Sequence, residues 1–415
     1  MQYPKPNPER LSETGPSNRE DRGERRFAEP RSFAPLEGRA AGLGEVAARW
    51  PRAWDAIAPE AMIRTPADRP LEAADHERRA VIVIPCLNEA KAIAGVIDRI
   101  LDDDGLVDPL VLVADGGSTD GTRDIVADIA ARDPRVRLVH NPARLQSAGV
   151  NLAARALDDR RPWMIRVDAH ADYPRNYVST LIAEARATGA ASVVVSMDTK
   201  GEGGFQRAVA AAQNSVLGTG GSAHRLAGEG KWVDHGHHAL FRLDAFEAVG
   251  GYDETFSHNE DAELDLRLGR EGGRIWLTDK VRIGYHPRST PGALWKQYFS
   301  YGKGRARTVL KHFTPLKVRQ ALPLAVAPAV VSLLGAPVFW PLAIPAVTWM
   351  LATLLFGVML GLKHRDAATL LSGPAAMIMH LSWSAGFWWQ LFTDRPKPEP
   401  LELHPPVLRG APVSP

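Results

Sequence analysis

Between residues 80 and 170 the apolar positions fall in short β-branched runs, separated by helix-length stretches of mixed polarity. AVIVIP (80–85) and PLVLVAD (109–115) are apolar runs bounded by turn residues, the pattern of strands buried on both faces. VRLVH (136–140) and WMIRVDAH (163–170) repeat it, and residues 89–101, 122–132 and 146–157 are helix-compatible. Strands alternating with helices predict right-handed crossovers and an α/β fold, Rossmann-like, with a mostly parallel sheet and helices on both faces. Ligands in such sheets sit outside the carboxyl ends of the strands. Asn88, Glu89, Asp115, Asp168 and His170 all fall at those ends.

The pattern changes after residue 280. No acidic residue occurs between Lys280 and Arg365, and no charged residue between Ala321 and Leu362. The uncharged stretch exceeds the roughly 20 residues of one membrane-spanning helix and suits two, with PLAIP (341–345) as the turn. A further uncharged run, 367–393, supplies a third, so about three transmembrane helices are expected in 321–393. Lys317 and Arg319 precede the first span, and Lys363, His364 and Arg365 follow the second. The positive-inside rule puts both clusters in the cytoplasm, which predicts a multi-pass protein of the inner membrane with its catalytic part cytoplasmic. Residues 291–320 interleave Lys296, Lys303, Arg305, Arg307 and Lys311 with Trp295, Tyr298, Phe299 and Tyr301, as an interfacial helix on anionic lipid would. Nucleic acid is the alternative for such a stretch, and the spans that begin at once afterward favour lipid.

The flanks read differently. Residues 1–79 form an arm rich in Pro, Arg, Glu and Ser, without the apolar region of a signal peptide. Disorder is expected to about residue 38, and a short amphipathic helix in 42–62, where Leu43, Val46, Trp50, Trp54 and Ile57 recur every three or four positions. Residues 394–415 are a Pro-rich tail. Over all 415 residues, 50 Lys and Arg balance 48 Asp and Glu, a formal net charge of +2 that argues against a dedicated nucleic-acid binder. Cys86 is the single cysteine, so an internal disulfide framework and a thiolate zinc cluster are excluded.

Four stretches carry candidate chemistry. In VIVIPCLNEA (81–90), Asn88 and Glu89 follow a strand and a Pro85 turn, and Asn88 suits a helix cap or a ligand contact. In VADGGSTDGT (113–122), Asp115 closes a strand, and Gly116 and Gly117 allow backbone to approach a ligand. Neither a dinucleotide fingerprint nor a phosphate-loop lysine is present. In RVDAHAD (166–172), Asp168 and His170 alternate and can point the same way along a strand end. A carboxylate and an imidazole could then share one divalent cation, Mg²⁺ by its oxygen or Mn²⁺ by its nitrogen. In GGYDETFSHNEDAELDLRLGREGG (250–273), Glu260 and Asp261 open a helix, where an acid caps the dipole or serves as a base. The glycine-rich segment 218–231 suits a lid or a plain surface loop. His235, His237 and His238 could suggest a metal, but lining an acceptor cleft or pairing with Asp234 is the reading favoured, since Asp168 offers the better metal position.

These motifs, in this order, resemble the family 2 inverting glycosyltransferases of the GT-A fold over about residues 80–313. RVDAHAD, HNEDAEL and HPRSTPGALWKQYFSYGKGRART are similar to the ExoA-type glucosyltransferases of succinoglycan biosynthesis. The resemblance implies a GT-A domain at 80–290. It implies that Pro85, Asn88 and Glu89 line the nucleotide pocket and that Asp115 contacts uracil or ribose. Asp168 matches the first acid of the family's Asp-x-Asp, and His170 stands where the second acid usually stands. Asp261 matches the catalytic base and Glu260 its neighbour. Lys303, Arg305 or Arg307 would hold a pyrophosphate. The implied reaction moves a sugar, glucose from UDP-glucose, with inversion, to a lipid-linked saccharide in exopolysaccharide synthesis, with other polysaccharide-assembly proteins as partners. The Gln-x-x-Arg-Trp motif of processive synthases is absent from the sequence, which favours single-sugar addition. The rival readings are transfer to polyprenyl phosphate or diacylglycerol, and a non-catalytic sugar-nucleotide-binding scaffold.

Overall fold

The computed structural model describes residues 73–157, 161–220, 229–316 and 318–393. The expected disorder and helix of the N-terminal arm, Lys317, the tail and most of the glycine-rich segment lie outside the described residues.

Eight strands form one sheet in the order β3-β2-β1-β4-β7-β5-β8-β6. They are β1 (Arg79–Cys86), β2 (Val107–Asp115), β3 (Val136–His140), β4 (Trp163–Arg166), β5 (Ser192–Thr199), β6 (Lys231–Val233), β7 (His237–Arg242) and β8 (Ile275–Tyr285). β3, β2, β1 and β4 run parallel, as the alternating pattern predicts. β7 enters antiparallel between β4 and β5, so the sheet is mixed. Helices α1 (Ile93–Leu101), α2 (Thr122–Arg132), α3 (Gln146–Arg155), α4 (Tyr177–Thr188), α5 (Gly204–Gln213), α6 (Leu243–Ala248) and α7 (Glu260–Arg270) follow in chain order. β1 shows why its apolar run is unbroken. Ile82 and Ile84 pack with Ile93, Ile97 and Ile100 of α1, while Val81 and Val83 pack with Val150 of α3 and Leu264 and Leu268 of α7. Both faces are thus covered, and the parallel strands deliver their carboxyl ends to one edge.

Beyond the sheet, α8 (Pro291–His312) is a single 22-residue helix capped by Thr290, whose side chain accepts from the Ala293 N–H. It lies along α12 (Ser372–Thr393). A Cβ built on Gly302 would fall 2.0 Å from the Trp383 carbonyl oxygen, and one on Gly386 would fall 2.0 Å from that of Phe299. Only glycine admits this approach.

Between α8 and α12 stand α9 (Val318–Leu324), α10 (Val326–Ser332) and α11 (Ile344–His364). Among the described residues one helical stretch, Trp340–His364, is long and apolar enough to cross a membrane. The first expected span instead divides into two seven-residue helices, one of which contains Pro323. The third, α12, has the length but buries small and polar residues, including Ser382, Ser384 and Gln390. On α11, Leu351, Leu355, Met359 and Leu362 are exposed.

Candidate active site

Cys86 and Asp115 are register partners at the carboxyl ends of β1 and β2. The buried Asp115 carboxylate accepts from the N–H groups of Gly117 and Ser118, each at 2.9 Å, and from the Ser118 hydroxyl. Burial alone would raise this acid, but the bonds from Ser118 and Gly117 prevail and hold it below its ordinary value. The Cys86 thiol donates to Asp115 at 3.6 Å and is pushed up to about 12, by burial first and then by the Asp115 charge. Gly117 takes φ +89°, which glycine adopts without strain.

The two loops brace one another. Asn88, at φ 59°, accepts from the Thr119 N–H at 2.9 Å, and its own N–H donates to the Ser118 hydroxyl at 2.8 Å. The Glu89 N–H donates to the Thr122 hydroxyl at 2.8 Å. Asp120 accepts from Ala90 and Thr122, chiefly the Thr122 hydroxyl, which lowers its carboxyl. Asn88 is therefore a cross-brace between loops rather than a cap of its own helix, and Asp115 is the acid around which the glycine loop folds.

Ladder pairing of β4 ends at Arg166, although the Val167 N–H still donates to Val83. The strand alternation that would align Asp168 with His170 is therefore lost, and the two side chains part. His170 is exposed, with Nδ1 at 3.0 Å from Glu89 Oε1. Asp168 turns inward. Its Oδ1 accepts from Gln146 Nε2 at 2.7 Å and lies 3.5 Å from Arg166 Nε, while its Oδ2 lies 3.5 Å from His237 Nε2. Its N–H donates to the Tyr173 hydroxyl at 2.7 Å. Burial would raise the Asp168 carboxyl, but the Arg166 guanidinium, aided by His237 and His170, holds it well below the carboxylate range.

Asn259, at φ 67°, turns the chain into α7, and Glu260 and Asp261 occupy its first turn. Arg166 Nη1 donates to Asp261 Oδ1 at 2.6 Å and to the Tyr252 hydroxyl at 3.1 Å. The Tyr252 hydroxyl donates to the same Asp261 oxygen at 2.9 Å. Asn151 fixes Tyr252 through both backbone groups, each at 2.9 Å. Glu260 Oε1 is 3.8 Å from Arg166 Nη1. Burial, and then the Asp261 charge, push the Glu260 carboxyl up to about 7. Asp168 and Asp261, 93 residues apart in the chain, thus meet across one buried guanidinium.

The basic stretch divides on folding. Arg307 donates to the Thr255 carbonyl and hydroxyl and covers the Phe256 ring at 4.6 Å. Lys311 pairs with Asp253 and with the fully buried Glu263. Arg305 lies on the same helix, α8. Lys303 and Arg288 face His258, whose imidazole is lowered by burial and then by those two charges. His235 pairs with Asp265 at 2.9 Å. Pro85 lies in β1, one residue before Cys86.

Sequence reasoning did not single out Arg166, Gln146 or Tyr252. The one available signal was an arginine closing the apolar run WMI, where an unpaired guanidinium would be costly. Among the described residues no group of three or more His, Cys, Asp or Glu side chains is gathered as a metal site. Asp168 Oδ2 and His237 Nε2, 3.5 Å apart, are one oxygen and one nitrogen donor of the kind that suits a cation such as Mn²⁺.

Comparisons with known proteins are consistent across the chain. The family model described as glycosyl transferase family 2 matches residues 81–250, and that of glycosyl transferase family group 2 matches residues 205–362. Succinoglycan biosynthesis protein ExoA of Rhizobium meliloti (strain 1021) is 52% identical over 316 residues, which is 76% of this chain and 96% of that protein. A dolichyl N-acetyl-alpha-D-glucosaminyl phosphate 3-beta-D-2,3-diacetamido-2,3-dideoxy-beta-D-glucuronosyltransferase of Methanococcus voltae is 24% identical over 242 residues, 56% of this chain and 74% of that one. Among solved structures, a mannosyltransferase from Pyrobaculum calidifontis in complex with GDP-Man and Mn²⁺ superposes with a TM-score of 0.52 at 20% identity, covering 76% of this chain and 88% of that one. This likeness shows the GT-A fold.

Proposed function

The chain belongs to glycosyl transferase family 2 and is a glycosyltransferase, and from that premise we propose that it moves glucose from UDP-glucose, with inversion, to a lipid-linked saccharide in exopolysaccharide assembly. The observation that carries this reading is the meeting of Asp168 and Asp261 at the carboxyl edge of β4, where a GT-A sheet receives its donor. High identity to a succinoglycan biosynthesis protein over nearly its whole length supports the polysaccharide context. The Methanococcus voltae relative, named for transfer onto a dolichyl-phosphate-linked sugar, supports a lipid-linked acceptor.

In this reading Asp261, held by Arg166 and Tyr252, takes the proton of the acceptor hydroxyl. The acceptor oxygen bonds to the anomeric carbon from the face opposite UDP, and the bond to the departing diphosphate breaks. Asp168 and His237 would hold a divalent cation, Mg²⁺ or Mn²⁺, which supplies charge neutralisation at the diphosphate when bound. The braced loops bearing Pro85, Asn88, Glu89 and Asp115 form the nucleotide side of the cleft. Lys303 and Arg305 are the residues of the basic stretch assigned here to a pyrophosphate, since Arg307 is spent on Thr255.

The exposed apolar face of α11 supports anchoring in the inner membrane, with the sheet on the cytoplasmic side. The test is incubation of membranes carrying the protein with a panel of nucleotide sugars, followed by mass analysis of the lipid-linked product. A hexose increment from UDP-glucose on a diphosphate-linked saccharide is expected. An increment on polyprenyl phosphate or diacylglycerol would overturn the acceptor assignment, and donor binding without any transfer would overturn catalysis.

A further inference from the structure

Arg166 is the charge in this site that needs the most explanation. It closes the strand WMIR, it is 5% exposed, and its backbone pairs with Val83 in the core of the sheet. A guanidinium so deeply buried persists only where carboxylates pair with it. Those carboxylates come from two distant parts of the chain. Asp168 follows β4, and Glu260 and Asp261 open α7. Each edge of the fork has its own acid, with Nη1 at 2.6 Å from Asp261 Oδ1 and Nε at 3.5 Å from Asp168 Oδ1. Nε has no hydrogen-bond partner, so the donor-side contact is charge at short range rather than a formed bond.

We propose that Arg166 is the positioning residue of the transfer reaction: its one planar guanidinium spans Asp261, on the acceptor side, through the Nη1 hydrogen bond, and Asp168, on the donor side, through the charge at Nε with Gln146 completing the hold, and so sets their separation without itself touching either substrate. The proposal rests on the roles given to those two acids above. A guanidinium is planar and presents its donors in a fixed geometry, whereas a lysine ammonium is a point charge on a flexible stem. Lysine at this position therefore keeps the charge and loses the spacing. Transfer in line depends on that spacing, because a misplacement of about 1 Å can cost about 100-fold in rate. Donor binding depends on it far less, since the nucleotide loops are braced by their own hydrogen bonds.

The test compares parent, Arg166→Lys, Arg166→Ala and Asp261→Asn as full-length protein in membranes, with UDP-glucose and the native lipid extract as substrates and UDP as the binding probe. Arg166→Lys should lose about 100-fold in kcat while UDP affinity and donor KM stay within about threefold. Added methylguanidinium should restore at least about tenfold of the rate to Arg166→Ala and nothing to Asp261→Asn. Parental kcat in Arg166→Lys, or a loss of UDP affinity as large as the loss of rate, would overturn the proposal. Should Arg166→Ala fail to fold, Arg166→Lys carries the test, and unfolding of both would overturn the proposal by making the arginine structural. Retained turnover in Asp261→Asn would instead remove the functional reading on which the proposal stands.

Discussion

His170 Nδ1 lies 3.0 Å from Glu89 Oε1, and this contact joins the loop after β4 to the loop after β1. It places the His170 imidazole against the loop after β1, the nucleotide side in the proposed reading, and leaves His237 as the imidazole beside Asp168. A cation held at Asp168 should therefore be more sensitive to His237 than to His170. His237→Ala, which would remove a ligand, should weaken Mn²⁺ binding by at least the roughly 10- to 100-fold that loss of an outer partner costs, and His170→Ala by much less, as read by calorimetry in the presence of UDP. Equal effects would return His170 to the role that its place in the Asp-x-His motif suggests.

In the proposed reaction, Asp261→Asn preserves size and removes the base. Transfer should fall by about 10²- to 10⁴-fold while UDP binding stays near parental. A variant that loses UDP affinity but keeps turnover would assign Asp261 to the donor side. The control is Tyr252→Phe, which removes the tyrosine donor to Asp261 Oδ1 while leaving that of Arg166, and should lower the rate by a smaller factor.

Glu260 gives a stability signature in pH. Its folded pKa is raised from the ordinary 4.5 to about 7, so between those values the folded protein holds a proton that the unfolded chain releases. Stability from this group therefore falls as pH rises through that window and is flat above it. Glu260→Gln should remove the decline. Its melting temperature relative to the parent should climb from pH 4.5 to 7, by about 1–2 °C for each kcal/mol involved in a protein of this size. A difference independent of pH would show that Glu260 titrates normally.

The contact of α8 with α12 depends on two glycines. Gly302→Ala or Gly386→Ala would put a methyl group 2.0 Å from a backbone carbonyl oxygen, and backbone cannot yield as a side chain does. Each should destabilise the protein by about 1–3 kcal/mol, measured as lost thermal stability in detergent. Gly95→Ala, where a Cβ meets nothing within 4 Å, should be neutral or stabilising.

Glu263 is fully buried among Arg267, Lys311 and His312, and it ties α7 to α8. Glu263→Ala removes the carboxylate that Arg267, Lys311 and His312 share, leaves Lys311 with Asp253 alone, and should cost about 1–3 kcal/mol. Because α7 also carries Glu260 and Asp261, the loss should appear in transfer rate at temperatures where the protein is still folded.

Local pattern alone carries the α/β character of residues 80–170, because runs such as AVIVIP make sense only when both faces of a strand are covered. It also determined that Asn88, Asp115 and Asp168 fall at strand ends, since chain order and parallel direction fix which end that is. The antiparallel entry of β7 was decided by tertiary structure, because pairing between strands is not written in local periodicity. The parting of Asp168 from His170 was decided there too, because the β4 ladder stops at Arg166 and strand alternation ends with it. The apolar C-terminal runs announced helices, but whether a face meets lipid or another helix depended on where Gly302 and Gly386 let two backbones touch. The pairing of Arg166 with both Asp168 and Asp261 is the clearest case. A buried charge is tolerable only where the fold brings its counter-charges, and those lie in segments that meet solely in three dimensions.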